Sequence, residues 1–167
     1  MFAMQKQAFR HDPEHGVWGD CHRTCIANLL GLPRDDVPHT HEDVPVEDWT
    51  ALIDAFLAPL GLRELRLHMP ATMTEVLAEH GRLNPEVSYI LSGKTARGTD
   101  HSILCRGGAA IWDPSLEQVS DLVGPMHELG YGVAYITPRR RTIETPADWE
   151  PFVRSWRLDT VITAMAG

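Results

Sequence analysis

The residue whose setting most invites chemistry is Cys21. It follows Gly19-Asp20 and opens the run CHRTCIANLLG. Asp20 is a good helix N-cap, Gly31 a good helix stop, and Cys25, Ile26, Leu29 and Leu30 share one helical face between them. The pattern predicts a buried helix over Cys21–Leu30 with Cys21 at its N-terminus. There the helix dipole and unpaired backbone N–H groups favour a thiolate, the reactive form of cysteine, and can hold an oxyanion during acyl transfer. A thiolate nucleophile needs a base, and the base needs an orienting group. His101 lies in GTDHSIL and Asp113 in IWDPS, twelve residues later, with Gly107-Gly108 between them. A tight hairpin at the two glycines sets the start of one strand beside the end of the next, so Asp113 can hydrogen-bond His101.

The remaining cysteines read differently. Cys25 lies one helical turn after Cys21 and faces the core, and Cys105 sits in the middle of a β-prone run. Cys21, His22 and Cys25, completed by Cys105 or His101, form an alternative set of zinc ligands. Structural zinc sites pair two close doublets, which this spacing lacks, so no metal and no cofactor is expected. Three cysteines cannot all pair within the chain, and at least one thiol is free. Most of the nine histidines, including His11, His15, His22, His68, His80 and His127, are read as surface or loop residues, and His39-x-His41 as a solvated pair.

The elements that must position these groups follow from periodicity. Met1–Gly19 reads as an extended arm and loop, and Leu32–Pro45 as a proline-rich loop. Val46, Trp49, Leu52, Ile53, Phe56, Leu57 and Leu60 mark an amphipathic helix over Val46–Leu60, ended by Gly61. A short strand over Leu62–His68 and a helix over Thr74–His80, ended by Gly81, come next. Val87–Leu91, Ser102–Cys105, Ala109–Trp112 and Val133–Thr137 are β-prone. Helices first and antiparallel strands after define an α+β class. Arg139–Arg141 marks a boundary, giving a domain over 1–138 and a C-terminal helical extension over 139–167, with a helix expected over Pro146–Trp156.

Length and charge bound the function. With 167 residues, 43% of them hydrophobic, the chain can bury one core. Fifteen Lys+Arg against 23 Asp+Glu leave a net charge of −8, which argues against nucleic acid or an anionic membrane as the main partner. The same charge mildly favours a basic or neutral substrate. No secretion signal or membrane span is visible, so a cytoplasmic location is expected.

The runs GDCHRTCIANLLGLPRDDVPHT, YILSGKTARGTDHSIL and IWDPS resemble the small papain-like cysteine peptidase domains of bacteria, phages and prophages, related in fold to bacteriocin-processing peptidases. The resemblance covers roughly Gln5 to Pro138. It implies a papain-like fold with Cys21 as nucleophile, His101 as general base and Asp113 as orienting acid. It also implies an upstream glutamine donating to the oxyanion. Gln5 and Gln7 are both candidates, and Gln7 is preferred because it lies closer to the loop and precedes Ala8-Phe9. Trp18, Gly19 and Asp20, beside the nucleophile, are read as flanking the substrate groove. The implied activity is hydrolysis of a peptide, isopeptide or other amide bond through an acyl-thioester. The alternatives are an inactive papain-like binding or virion-associated protein, and a transglutaminase or deamidase relative that uses the same triad.

Overall fold

The structure, a computed structural model, describes residues 3–39, 46–116 and 122–139. Three helices, α1 (Cys21–Leu30), α2 (Val46–Leu57) and α3 (Met73–Leu83), accompany five strands: β1 (Leu62–Met69), β2 (Ser88–Lys94), β3 (Asp100–Arg106), β4 (Ala109–Trp112) and β5 (Tyr131–Pro138). The strands form one sheet in the order β1-β5-β2-β3-β4, every pairing antiparallel. The domain is therefore α+β. The helix expected over Pro146–Trp156, the extension beyond Arg139 and His41 lie outside the described residues.

The sheet has a core on each face, so the helices do not all pack together on one side. Cys25, Ile26 and Ala27 of α1 and Ile53 and Leu57 of α2 pack with Ile90, Leu104 and Ala134. Val76 of α3 packs with Tyr89, Leu91, Ile103, Cys105 and Val133. Consecutive residues of β2 and β3 are buried as a result: Tyr89, Ile90 and Leu91, and Ile103, Leu104 and Cys105. A strand covered on both faces reads as a continuous apolar run rather than an alternating one.

Local chemistry sets the element ends. Gly31 closes α1 in the left-handed conformation, φ 66°, and donates its N–H to Ala27 O. The second helix stops at Leu57 rather than continuing to Leu60, and Ala58–Leu60 tighten into a 3-10 turn. Pro59 has no N–H for an i→i−4 bond, so α-helical pairing cannot continue through it. The third helix starts earlier and ends later than its sequence pattern indicates. Thr72 caps it by accepting from Glu75 N–H at 3.3 Å, while Glu75 Oε2 accepts from Thr72 N–H at 2.7 Å. Gly81 does not terminate it. A Cβ there would lie 3.1 Å from Gly108 Cα, so the glycine lets α3 approach the β3–β4 turn.

Two further expectations are corrected. Asp20 does not cap α1 with its side chain. Its carboxylate, fully buried, turns back to accept from Ala8 N–H and Phe9 N–H, both at 2.9 Å, and pairs with Arg23 at 3.2 Å and Arg34 at 3.4 Å. This ties the N-terminal arm against α1. His80 is not a surface residue but buried, its Nδ1–H donating to Val76 O at 2.7 Å and its Nε2 2.5 Å from the Tyr135 hydroxyl. Among the described residues no helix is long and apolar enough to cross a membrane.

Candidate active site

The arm that Asp20 holds runs beside both α1 and the end of β4. Gln7 N–H donates to Pro114 O at 2.8 Å, Lys6 Nζ to Asp113 O at 2.9 Å and Trp112 Nε1 to Gln5 O at 3.1 Å. These bonds join the arm to the end of β4, while Asp20 joins the arm to the start of α1. Cys21 is half-buried there, and first-turn N–H groups of a helix have no intrahelical partners.

His101, the second residue of β3, is paired across the sheet with Gly93, and its side chain is 7% exposed. Its Nε2 lies 2.8 Å from Asp113 Oδ1. The same Oδ1 accepts from Ser115 N–H at 2.7 Å, an Asx turn through Pro114 that aims the carboxylate. Cys21 lines the same cleft as the imidazole and is close enough to raise its pKa. With Nε2 engaged by Asp113, Nδ1 is the ring nitrogen left for the thiol. Burial pulls the His101 pKa down, but the hydrogen bond to Asp113 and the interactions with Cys21 outweigh it and raise it to about 9. Burial likewise pushes Asp113 up, and the bonds from His101 and Ser115 more than reverse that, leaving its carboxyl below the usual range. The imidazole therefore holds its proton at neutral pH.

The two upstream glutamines have different surroundings. Gln5 is consumed structurally: its Nε2 donates to Leu32 O at 2.7 Å and its Oε1 accepts from Arg34 N–H at 2.9 Å. Gln7 is buried and lines the cleft that holds Cys21 and His101, and its Oε1 has no hydrogen-bond partner among the described residues. Gly19 lines the same cleft. Trp18 instead packs edge-on against Trp49 and His11, with ring centroids 5.8 and 5.2 Å away. Asp20 is 2% exposed and its carboxylate is occupied by the arm, so it contributes by anchoring rather than by facing the cleft.

Sequence reasoning passed over several residues here. Arg10, His11, Thr95, Arg97 and Thr99 line the cleft from the arm and from the β2–β3 turn. The polar run preceding His101 was the available signal for the turn; the arm gave none. His22, read as a surface or loop residue, has its Nε2 2.7 Å from Glu64 Oε1 and its Nδ1 3.4 Å from Ser102 Oγ, partners the sequence did not point to. His39, read as solvated, is half-buried and stacked on Phe9 at 5.4 Å. Cys25 and Cys105 are both fully buried, in the cores on opposite faces of the sheet, so Cys105 does not join Cys25 in one ligand set. Among the described residues no cluster of three or more histidine, cysteine or acidic side chains could hold a metal.

Comparison with protein-family models, curated proteins and solved structures returns no match. Among the described residues the fold and site define an α+β arrangement of three α-helices and a five-stranded antiparallel sheet, with a cysteine, histidine and aspartate gathered near one helix N-terminus.

Proposed function

We propose that the chain is a papain-like thiol hydrolase acting on a peptide, isopeptide or other amide bond of a peptide or protein substrate. The observation that carries the reading is the His101–Asp113 hydrogen bond in the cleft that Cys21 lines from the N-terminus of α1. The chain order, with the thiol on a helix, the histidine on a strand and the aspartate just after one, is that of papain-like hydrolases, and Gln7 lining the same cleft as Cys21 supports it further.

In this mechanism the Cys21 thiolate attacks the acyl carbon. The carbonyl electron pair moves onto oxygen, where the Cys21 N–H and the Gln7 amide receive it. The C–N bond breaks as His101 gives its proton to the leaving nitrogen, and a thioester remains. Now neutral, His101 takes a proton from water, the resulting hydroxide attacks the thioester, and the C–S bond breaks to restore the thiolate. Asp113 holds the ring and stabilises its protonated form throughout. An amine in place of water gives acyl transfer by the same steps.

The test uses thiol reactivity. Iodoacetamide at neutral pH labels the intact protein once and early, at a residue mapped by peptide mass. Cys21→Ala abolishes this label, while Cys25→Ala and Cys105→Ala keep it. Persistence of the fast label in Cys21→Ala refutes the assignment.

A further inference from the structure

A second line of polar side chains joins α1 to β3. Glu64 of β1, its side chain 1% exposed, accepts from Arg66 Nε at 2.6 Å and lies 2.7 Å from His22 Nε2. His22 Nδ1 is 3.4 Å from Ser102 Oγ, which is 2.8 Å from the Oγ of its cross-strand partner Ser92. Burial opposes the charge on Glu64, but His22 and Arg66 keep it ionised at neutral pH. An ionised carboxylate only accepts, so His22 Nε2 carries a proton and donates. Its Nδ1 accepts from the Ser102 hydroxyl in the neutral ring and donates to it in the charged one, so the contact survives either state. The order carboxylate, imidazole, hydroxyl is that of a nucleophilic serine site. Ser102 is only 5% exposed, however, and the Cys25 thiol donates to its carbonyl oxygen at 3.6 Å. A substrate does not reach a hydroxyl so enclosed, and what the series supplies is geometry.

We infer that His22 and Ser102 are positioning residues for the thiol and its base. The inference rests on Cys21 as nucleophile and His101 as general base. His22 follows Cys21 directly in α1, and Ser102 follows His101 directly in β3. Their contact therefore ties the chain neighbour of the nucleophile to the chain neighbour of the base. Glu64 holds the ring in the orientation that makes the contact. A thiolate–imidazolium pair is sensitive to its separation, since the hydrogen bond and the charge attraction both weaken as distance grows. Loosening α1 from β3 leaves Cys21 less favoured as a thiolate, and more of it is protonated at a given pH.

The test follows the rate of Cys21 alkylation by iodoacetamide from pH 4 to 10, with stability measured in parallel by urea unfolding. The midpoint of this profile reports the thiolate. Ser102→Ala raises the midpoint by about one pH unit, which is about tenfold slower alkylation on the acid side and little change at pH 10. Ser102→Thr, which keeps the hydroxyl, retains the wild-type midpoint. His22→Leu, at a side chain 29% exposed, breaks the same contact and raises the midpoint too, so the comparison stands even where Ser102→Ala fails to fold. The double variant raises it no further than the larger single, because each removes one shared contact. Ser92→Ala deletes a buried hydroxyl from the same pair of strands without breaking that contact, and leaves the midpoint in place. An unchanged midpoint in Ser102→Ala and His22→Leu overturns the inference with the catalytic reading intact. Additive shifts in the double variant overturn it as well, and so does an equal rise in Ser92→Ala, which makes the effect general loosening. Absence of the fast label at Cys21 in the wild-type protein overturns the catalytic reading and the inference together.

Discussion

Replacing Asp113 by asparagine keeps the shape of the carboxyl end and removes its charge from His101. The hydrogen bond to Asp113 is the largest of the influences that raise the His101 pKa to about 9 from 6.5. At 1.36 kcal/mol per pKa unit, the buried imidazolium is favoured in the folded protein by about 3 kcal/mol, shared between Asp113 and Cys21. In Asp113→Asn the titration of His101 therefore falls by about one to two pH units. Histidine C–H resonances followed by NMR from pH 5 to 11, with the signal assigned by its loss in His101→Asn, measure this directly. Stability gives a second readout of the same quantity. A pKa raised on folding contributes stability that is complete below pH 6.5 and lost as pH rises through about 9. Denaturant unfolding at pH 6 and pH 10 should thus differ more in the wild type than in Asp113→Asn. A wild-type His101 titrating near 6.5, or the same midpoint in both proteins, refutes the reasoning.

Other perturbations test other parts of the structure. Glu64 is buried; burial opposes its charge, but His22 and Arg66 at 2.7 and 2.6 Å lower its pKa from 4.5 to about 2. Its stabilisation is complete above pH 4.5 and lost as pH falls towards 2. Glu64→Gln accordingly costs up to about 3 kcal/mol at pH 7 and little near pH 2, read from urea unfolding at both. Asp20→Ala leaves two arginines and two arm N–H groups without their shared acceptor, and lowers stability by about 3–5 kcal/mol. It also speeds amide exchange at Ala8 and Phe9; protection equal to wild type there contradicts the anchoring role. Helix propensity alone makes Gly81→Ala stabilising by about 1 kcal/mol, whereas the 3.1 Å approach to Gly108 makes it destabilising. Thermal unfolding decides, a higher Tm counting against the close contact.

The first helix, Cys21–Leu30, was legible to the residue because its apolar face, its stop at Gly31 and its polar approach all agree. The β3–β4 hairpin was equally legible, since Gly107 adopts φ 51° in its turn and the strands on either side are short and β-prone. From these two elements the pairing of His101 with Asp113 could be read before any tertiary information. Boundaries were lost where a neighbour overrides local preference. Gly81 reads as a stop in isolation, and only the turn packed against α3 explains why it lies inside the helix.

By itself, the sequence determined the residue types, their order and the local elements that carry them, because those depend on contacts within a few residues. Tertiary structure alone decided which polar groups meet across long separations. It turned Asp20 towards the arm and set Gln7 rather than Gln5 in the cleft. Across 42 residues it paired His22 with Glu64, and it brought Arg10 and Arg97 to the cleft that Cys21 lines. Burial is the reason: a charge or amide taken out of water must find a partner, and the partner available is whichever segment the packed cores bring alongside.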